Sequence, residues 1–483
     1  MSNHFESGLK DWIEKEKLAI ELISISGQLW FDRSVELVIF RKKIIDVGVN
    51  TILSFHLRAR EIIKQELTIE TTISIARALL EMDLAPSKID LGKLGHEWIN
   101  EKKKYENVKA FVKDKLKKFE GSNDYDLTPQ DVVLFGFGRI GRIAARLLVA
   151  QTGKGEQLRV RAIVTRNNDA ETIAKRAELL RNDSIHGTFK GTVLEDFDNK
   201  RILVNGQPIE MIASNDPSTI DYTAHGIENA LLIDNTGAFR DEAGLSKHLK
   251  AKGISKVLLT APGKGDLKNI VYGINHKDNT ENENILSAAS CTTNAIVPVL
   301  KVIEDEYGID FGHIETIHSY TNDQNLLDNF HNKYRRGRSA PLNLVITETG
   351  AGKAVAKALP QLAGKLTGNA VRVPTPNGSL VILNLTLKKE VNGKEDINKV
   401  LKHTSLHGEL IEQIEFSENN ELVSTDIIGN SHPGIVDGAA TLVSGENPKN
   451  VVLYVWYDNE YGYTEQVIRL AKYISGVRRP TYY

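Results

Sequence analysis

The chain has 483 residues, a net charge of -2 and a 41% hydrophobic content. These values supply enough apolar material for two or three cores and give no reason to expect a nucleic-acid partner. A single cysteine excludes an internal disulfide framework, and no N-terminal apolar stretch resembles a signal peptide or a membrane span, so we expect a cytoplasmic protein that does not contact a membrane.

Residues 1–125 lack glycine-rich turns and are predicted to form an all-helical N-terminal extension. Apolar residues recur near helical spacing in four stretches: residues 12–23, 35–45, 73–82 and 98–119. The last stretch carries eight lysines around an apolar stripe. Such a pattern fits a basic surface for a membrane or an acidic partner, or a solvated helix face that packs its apolar stripe on the body. Residues 121–124 (Gly-Ser-Asn-Asp) are predicted to be a linker.

A glycine motif follows the linker. An apolar run over residues 132–135 leads into Gly136, Gly138 and Gly141, spaced G-x-G-x-x-G, and an amphipathic helical pattern comes next. The first glycine permits a tight turn, the second lets the backbone approach a pyrophosphate, and the third allows close packing of helix and strand. The helix N-terminus then receives the negative charge. The sequence therefore predicts a dinucleotide-binding turn here.

Two predicted sheets follow the glycine motif. Over residues 131–289, short β-branched runs such as 160–165, 230–234 and 256–260 alternate with helical stretches, which predicts a doubly wound parallel sheet. After Cys291, a second sheet with helices on one face is predicted from three runs: residues 313–317, 379–387 and 422–428. A final helix over residues 465–474 is predicted to return to the first sheet.

The only cysteine, Cys291, lies in the run Ser290-Cys291-Thr292-Thr293-Asn294, and His318 follows downstream. A thiol with a pKa near ~8.5 is only a few per cent ionised at neutral pH, so a catalytic cysteine needs an imidazole or a helix N-terminus beside it. His318 is the candidate partner that would favour the thiolate. The hydroxyls and the amide of the run can cap a following helix, with Cys291 near its positive end. A lone cysteine by itself is more often a small buried hydrophobe.

Three motifs together resemble phosphorylating glyceraldehyde-3-phosphate dehydrogenase: residues 136–142, residues 290–294 and the run Trp-Tyr-Asp-Asn-Glu-Tyr-Gly-Tyr at residues 456–463. Further segments agree in the family's order at residues 183–187, 364–368 and 372–377. The resemblance runs from about residue 131 to about residue 476. Nothing in the extension resembles that family.

The patterns and the resemblance together predict an α/β fold with four parts, of which only the extension rests on its helical pattern alone. A helical extension (1–125) precedes a Rossmann dinucleotide-binding domain (126–290) and an α+β catalytic domain (291–445), and a C-terminal segment (446–483) returns to the Rossmann domain. A homotetramer is implied by the resemblance only, and no metal is expected.

The resemblance also implies the chemistry, which is oxidation of an aldehyde to an acyl phosphate or its reverse. Cys291 attacks the carbonyl carbon, and His318 accepts the hydroxyl proton while hydride leaves for NAD or NADP. Inorganic phosphate then displaces the thiol from the thioester. Both the substrate and the second nucleophile carry phosphate, so anion sites are required.

The resemblance assigns residues to these sites. Three residues match the family's substrate-phosphate site: Thr321, Asp323 and Arg372. Four match its inorganic-phosphate site: Ser290, Thr292, Thr349 and Gly350. Arg338 matches an arginine that the two sites share. The dinucleotide is matched by Gly136, Phe137, Gly138, Arg139, Ile140, Gly141, Thr236, Gly237 and Thr260, with Asn459 on the nicotinamide carboxamide.

One departure from the family concerns the cofactor. Where an acidic residue normally binds the adenosine ribose hydroxyls, the chain reads Thr165-Arg166-Asn167-Asn168-Asp169. A carboxylate repels a 2′-phosphate, whereas Arg166 with Thr165 can bind one, which favours NADP, alone or alongside NAD. In the alternative, a loop lengthened around residues 153–157 shifts Asp169 into the ribose contact and leaves Arg166 in solvent.

Three functions are compatible with the sequence. The first is the phosphorylating glyceraldehyde-3-phosphate dehydrogenase reaction, and the second is a dehydrogenase for a related aldehyde such as erythrose 4-phosphate. The third is a regulatory or scaffolding protein whose extension recruits an unknown partner. The intact pair of Cys291 and His318 favours an enzyme.

Overall fold

The computed structural model describes residues 2–121, 127–278 and 280–483. Residues 122–124 of the predicted linker lie outside the described residues. The chain forms two compact units. The first contains Met1–Pro129, Thr152–Gln157 and Val477–Tyr483, and the second contains Gln130–Gln151 and Leu158–Gly476.

The N-terminal part of the first unit combines helices with a sheet. Its elements in chain order are α1 (Ser2–Arg33), β1 (Val35–Ile39), β2 (Lys42–Lys43), α2 (Val49–Ile63), α3 (Ile69–Leu80), β3 (Ser87–Asp90), α4 (Leu91–Glu101) and α5 (Val108–Lys115). Strand β1 pairs parallel with β3 and antiparallel with β2. A core of buried side chains from the helices and strands, including Leu22, Leu37, Ile73 and Phe111, holds the unit together.

The prediction of an all-helical extension is therefore wrong within residues 35–45, where β1 and β2 lie, and at β3 (Ser87–Asp90). All five residues of β1 are buried, and a short apolar run that is buried on every side cannot be distinguished from a helix by its periodicity. Ser34, Phe40 and Arg41 have φ values of 57°, 44° and 66°, in the left-handed region that interrupts a helix. The predicted helices at residues 12–23 and 73–82 correspond to α1 and α3. The stretch 98–119 is divided between the end of α4, α5 and short 3-10 turns.

The second unit begins with the predicted doubly wound domain. Its elements are β4 (Gln130–Phe135), α6 (Arg139–Ala150), β5 (Leu158–Thr165), α7 (Ala170–Arg181), β6 (Asn182–Asp183), β7 (Gly187–Thr188), β8 (Val193–Asp196), β9 (Arg201–Val204), β10 (Gln207–Ala213), β11 (Ala230–Asp234), α8 (Glu242–Leu249), β12 (Ile254–Leu259) and β13 (Ile285–Ser287). Over this described stretch, one sheet has the order β13-β12-β11-β4-β5-β10-β9-β8, with parallel pairing from β13 to β10. The strand order reverses at β4, and a crevice at the carboxyl ends of such strands is where dinucleotides bind.

A mixed sheet forms the rest of the second unit, as the predicted α+β domain requires. Its elements are α9 (Cys291–Tyr307), β14 (Ile309–Ser319), β15 (Val345–Thr347), α10 (Ala351–Ala358), β16 (Leu366–Val373), β17 (Ser379–Leu387), α11 (Lys394–Leu406), β18 (Ile414–Ser417), β19 (Gly434–Asp437), β20 (Leu442–Val443), β21 (Asn450–Tyr457) and α12 (Tyr461–Ile474). The strands are ordered β15-β16-β14-β17-β21-β19-β18. The expected strand at residues 422–428 is instead a series of turns, in which the Val423 N–H donates to the Asp426 carboxylate.

The C-terminal segment does not return to the Rossmann domain as a whole. Strand β21 lies in the catalytic sheet beside β17. Helix α12 contacts the Rossmann domain, where Lys472 Nζ donates to Gln151 Oε1 at 2.6 Å. The last strand, β22 (Thr481–Tyr482), pairs parallel with β3 and completes a sheet of order β2-β1-β3-β22 in the described part of the first unit.

The first unit is thus assembled from three separate chain segments. One segment is the loop Thr152–Gln157, which the sequence predicted to be lengthened. Within it, Lys154 Nζ donates a hydrogen bond to the Asp32 carbonyl oxygen at 3.1 Å. In the tail, the Arg479 guanidinium lies 4.5 Å from the Trp30 ring centroid. Deleting residues 1–120 alone would therefore also expose the surfaces of the loop and of the C-terminal tail that pack on those residues. No helix in the described ranges is both long enough and apolar enough to span a bilayer.

Candidate active site

Cys291 is the first residue of helix α9, where its sulfur meets the positive end of the helix. Ser290 caps the helix by accepting a hydrogen bond from the Thr293 N–H at 3.1 Å. The preceding residue, Ala289, has φ 57°, a left-handed conformation that costs energy for a residue with a Cβ. Its carbonyl accepts a hydrogen bond from the Tyr463 hydroxyl at 3.0 Å. The turn before Cys291 is therefore held in one conformation.

His318 is placed by strand pairing. It lies near the end of β14, and the parallel register of β14 and β16 sets it opposite Arg372. The distance from Cys291 Sγ to His318 Nε2 is 3.6 Å. The structure thus brings the two predicted catalytic side chains together, with an arginine beside them.

Two groups approach His318 Nδ1. The Ser319 carbonyl oxygen lies 2.6 Å from it, and Arg372 Nη1, which also donates to that carbonyl at 2.8 Å, lies 2.7 Å from it. The carbonyl only accepts and the guanidinium only donates, so the contacts of Nδ1 are compatible with either neutral tautomer. In the tautomer with the proton on Nδ1, the lone pair on Nε2 faces the sulfur of Cys291 and can take a proton.

The electrostatics of the pair favour the uncharged forms. Burial lowers the pKa of His318 to about 3, and the charges of Arg372 and Arg336 act in the same direction. Burial also raises the pKa of the Cys291 thiol, although the Arg372 charge and the donor groups of Thr292 oppose it. This differs from the expectation of a resident thiolate. A neutral imidazole instead receives the thiol proton as the sulfur attacks.

The predicted dinucleotide residues meet at the carboxyl edge of the parallel sheet. Gly136 has φ 88°, and a Cβ on it would lie 2.7 Å from the Thr236 methyl group. A Cβ on Gly141 would lie 2.4 Å from the Gly136 carbonyl oxygen, whereas a Cβ on Gly138 would meet open space. The turn therefore needs its first and third glycines for its own geometry and leaves room at the second, as a bound pyrophosphate requires.

The side chain of Arg139 does not take part in this turn. It pairs with Glu460 and lies 3.4 Å from Asp183, so it is committed to carboxylates. The resemblance placed Arg139 and Ile140 at the cofactor, and what they offer there is backbone N–H groups in the first turn of α6, which have no acceptor within the helix.

Asn459 is oriented for a donor role. The Ser379 hydroxyl donates to Asn459 Oδ1 at 2.9 Å, which leaves the Nδ2 amide group to donate to a ligand such as a carboxamide oxygen. Ser379 also accepts a hydrogen bond from the Ser319 N–H at 3.1 Å. The same hydroxyl therefore connects the strand that carries His318 with the residue predicted to hold the nicotinamide.

The residues that the sequence proposed for the ribose site follow the end of β5. The Asp169 carboxylate caps helix α7 by accepting from the Thr172 N–H at 2.8 Å, so it is already engaged. The Thr165 hydroxyl donates to the Asn167 carbonyl at 2.6 Å. Arg166 is exposed and has no hydrogen bond or ion pair with any described residue. The cap uses one oxygen of the exposed Asp169 carboxylate, so this arrangement is compatible with either residue at the ribose.

The prediction that Arg338 is shared between the phosphate sites is not supported by its position. Its side chain is 65% exposed and pairs with Asp328 at 2.8 Å. Arg336 is the arginine that approaches the site: its side chain is 12% exposed, it pairs with Asp323, and its charge lowers the pKa values of both His318 and Arg372. Sequence reasoning missed Arg336 because the run Arg-Arg-Gly-Arg at residues 335–338 offers three candidates, and burial alone separates them.

The other predicted phosphate ligands differ in whether their polar groups already have hydrogen-bond partners within the protein. The Thr292 hydroxyl is buried and lies 2.9 Å from the Tyr457 hydroxyl, and Ser290 serves as the helix cap. Thr349 accepts from the Ala351 N–H at 3.2 Å, and Gly350 lies at the start of α10. Thr321 is partly exposed just beyond β14. Arg372, held beside His318, is the clearest cation for a phosphate among these residues.

Comparison with known proteins gives consistent matches. Residues 130–242 match the profile of the glyceraldehyde 3-phosphate dehydrogenase NAD binding domain, and residues 290–459 match that of the C-terminal domain of glyceraldehyde 3-phosphate dehydrogenase. A glyceraldehyde-3-phosphate dehydrogenase-like protein of Pseudomonas aeruginosa (strain UCBPP-PA14) is 51% identical over 464 residues, covering 95% of this chain and 100% of the relative.

Shorter relatives match as well. Glyceraldehyde-3-phosphate dehydrogenase of Priestia megaterium (strain DSM 319) is 42% identical over 341 residues, 70% of this chain and 96% of the relative. Glyceraldehyde-3-phosphate dehydrogenase 1 of Bacillus subtilis (strain 168) is 41% identical over 341 residues, again 70% of this chain and 96% of the relative. The Pseudomonas protein therefore shares the long form of the chain, and the other two do not.

Proposed function

Because the chain belongs to the glyceraldehyde-3-phosphate dehydrogenase family, we propose that it interconverts glyceraldehyde 3-phosphate and 1,3-bisphosphoglycerate with a nicotinamide dinucleotide. The observation that carries this proposal is the 3.6 Å approach of Cys291 Sγ to His318 Nε2 beside the Arg372 guanidinium. A nucleophile, a base and a phosphate-binding cation are the groups that the reaction needs at one place.

The residues of the chain perform the steps as follows. Cys291 Sγ bonds to the aldehyde carbon while the thiol proton passes to His318 Nε2 and from there to the former carbonyl oxygen, which gives a thiohemiacetal and a neutral imidazole. A bound nicotinamide ring supplies the hydride acceptor in this direction. Loss of the hydroxyl proton, again towards the imidazole, leaves a thioester on Cys291. Inorganic phosphate then attacks the acyl carbon, and the sulfur leaves. In the reverse direction His318 returns the proton.

The charges of the site favour phosphorylated substrates. Arg372 is largely buried, and its Nε has no hydrogen-bond partner among the described residues, so its guanidinium can donate to a phosphate. Arg336 is mostly buried and adds positive charge, although it already donates to Asp323 and Thr347. The pairing of Asp323 with Arg336 lowers the pKa of Asp323 even though burial opposes this, so that carboxylate stays charged and holds the arginine in place. Asp323 thus acts on the phosphate through Arg336.

A substrate panel tests this function. Glyceraldehyde 3-phosphate, erythrose 4-phosphate and unphosphorylated glyceraldehyde are each supplied with and without inorganic phosphate, and formation of reduced cofactor is followed. We expect the triose phosphate to give the highest kcat/KM and turnover to require inorganic phosphate. A preference for erythrose 4-phosphate would establish the alternative dehydrogenase, and inactivity with every aldehyde would favour the scaffolding role.

We infer further that NADP is accepted, alone or alongside NAD. The support is the exposed Arg166 at the end of β5 together with the engagement of Asp169 as a helix cap. A guanidinium at that edge can pair with a 2′-phosphate.

Replacing Arg166 by alanine is expected to lower kcat/KM for NADP about tenfold, because one charge-assisted contact to the 2′-phosphate is lost, and to leave kcat/KM for NAD nearly unchanged. Steady-state kinetics with both cofactors measure this. Lys175→Ala, which removes an exposed cation from the neighbouring helix α7, is the matched control. An unaltered ratio of the two kcat/KM values in Arg166→Ala would end the NADP proposal.

We propose that the enzyme is a homo-oligomer. The family resemblance implies that the oligomer is a tetramer. Seven large apolar side chains between residues 326 and 346 are more than half exposed in the single chain: Leu326, Leu327, Phe330, Tyr334, Leu342, Leu344 and Ile346. Apolar surface of this extent is typical of an interface. Light scattering is expected to give the mass of a tetramer, and replacing Leu327 and Leu344 by aspartate is expected to lower that mass. A monomer for the unmodified protein would contradict the proposal.

A further inference from the structure

A buried pair of hydrogen-bonded side chains lies beneath the cofactor edge. Asp234 is the last residue of β11, and His248 is in the last turn of α8. Both side chains are fully buried, and His248 Nε2 lies 3.0 Å from Asp234 Oδ2. A carboxylate only accepts, so the imidazole proton belongs on Nε2. His248 Nδ1 has no hydrogen-bond partner among the described residues.

The other oxygen of Asp234 holds the loop that follows β11. Asp234 Oδ1 accepts from the Thr236 N–H at 2.8 Å and from the Thr236 hydroxyl at 2.7 Å. Thr236 and Gly237 are the residues of this loop that the resemblance places along the dinucleotide. The orientation of the Asp234 carboxylate thus sets the position of this loop.

The same residue also reaches the next loop along the sheet. The backbone carbonyl oxygen of Asp234 accepts from the Thr260 N–H at 3.0 Å and from the Thr260 hydroxyl at 3.0 Å. A Cβ on Gly136 would lie only 2.7 Å from the Thr236 methyl group. Asp234 therefore contacts two of the loops at the cofactor edge and, through Thr236, limits the space behind the glycine turn.

His248 is what fixes the carboxylate. Its ring meets Phe135 edge-on at a centroid distance of 4.6 Å and Phe239 at 5.7 Å, so aromatic packing holds the imidazole in one orientation. Without it, Asp234 Oδ2 would be a buried charged oxygen with no donor, and the carboxylate would gain by rotating away from Thr236. An apolar side chain at position 248 would fill the space but supply no proton.

We propose that His248 is a positioning residue for the dinucleotide, acting through Asp234 on Thr236 and Gly237. The inference rests on the proposed cofactor use. The positioning role does not involve the chemistry at Cys291. Loss of the His248 donor therefore weakens dinucleotide binding and leaves the reactivity of the thiol and the affinity for the aldehyde unchanged.

The test uses the full-length protein with three variants. His248→Leu and His248→Phe remove the donor, the second while keeping a ring of similar size, and His248→Gln keeps an N–H group near the position of Nε2. Dissociation constants for NADPH and NADH are measured by fluorescence titration without turnover. KM for each substrate, the rate of Cys291 alkylation by iodoacetamide and the melting temperature are measured alongside.

We expect the dissociation constant of the preferred cofactor to rise about tenfold in His248→Leu or His248→Phe and to return to within about threefold of the original value in His248→Gln. KM for the aldehyde and the alkylation rate are expected to stay the same. Unchanged cofactor binding in a folded donor-free variant, whatever its melting temperature, would overturn the positioning role. If the unmodified protein binds neither dinucleotide, it is the proposed function that fails.

Discussion

Replacing Cys291 by serine is expected to lower kcat by at least about 10,000-fold, the size of loss seen when a covalent nucleophile is removed. A serine hydroxyl is a much weaker acid than a thiol, and the buried imidazole of His318, with its pKa lowered to about 3, is too weak a base to activate it. The ester that serine would form is also a poorer acyl donor to phosphate than a thioester. Steady-state formation of reduced cofactor measures the effect.

The controls for Cys291→Ser use the fact that the chain has one cysteine. Iodoacetamide should label one thiol per chain in the unmodified protein and none in the variant. The dissociation constant of the dinucleotide should be unchanged, which shows that the fold of the site is intact. Residual turnover above about one per cent in the variant would mean that Cys291 is not the nucleophile. A variant without turnover that still supported the biological role would favour a scaffolding function.

Replacing His318 by asparagine is expected to lower kcat by about 100- to 10,000-fold, the usual contribution of a positioned general base. Asparagine can keep a hydrogen bond to the Ser319 carbonyl but has no basic nitrogen to take the proton from Cys291 or from the thiohemiacetal. The acylation rate is the quantity to measure, by rapid mixing without phosphate. A decrease of less than tenfold would assign the proton transfer to another group.

The same substitution is expected to alter how stability depends on pH. The pKa of His318 is about 3 in the folded protein and near 6.5 when unfolded, so between these values protons bind preferentially to the unfolded chain. The folded state therefore loses stability as pH falls below 6.5. We expect the unmodified protein to lose about 2 kcal/mol more than His318→Asn between pH 7 and pH 5. Urea unfolding at the two pH values measures the difference.

The chemistry of the site was more predictable from sequence than its electrostatics. The glycine turn at residues 136–141 could be predicted because its geometry requires glycine: a side chain at the first or third glycine would collide with the backbone or with Thr236. The pairing of Cys291 with His318 was predicted from the chemistry that a catalytic cysteine needs and was supported by the resemblance, and the two side chains lie 3.6 Å apart. Their charge states did not follow, because burial and the neighbouring arginines are three-dimensional properties.

The remaining predictions were limited because contacts between residues far apart in sequence determine burial, side-chain direction and strand pairing. Strand β1 was read as helix because every residue in it is buried. The sequence alone does not distinguish Arg338 from Arg336, because arginines close together in a loop differ in the direction that the fold gives them. The strand contributed by the last residues of the chain pairs with β3, nearly 400 residues earlier, and nothing local in the sequence indicates this. The role of the extension and the cytoplasmic location stay predictions.

The most direct test of the account is a single-turnover experiment with glyceraldehyde 3-phosphate and oxidised cofactor in the absence of inorganic phosphate. We expect a burst of one reduced cofactor per chain, followed by very slow turnover, and an acyl group found by mass spectrometry on the peptide that carries Cys291. Adding phosphate should release this acyl group and restore steady turnover. Full turnover without phosphate, or an acyl group attached to any other residue, would contradict the account.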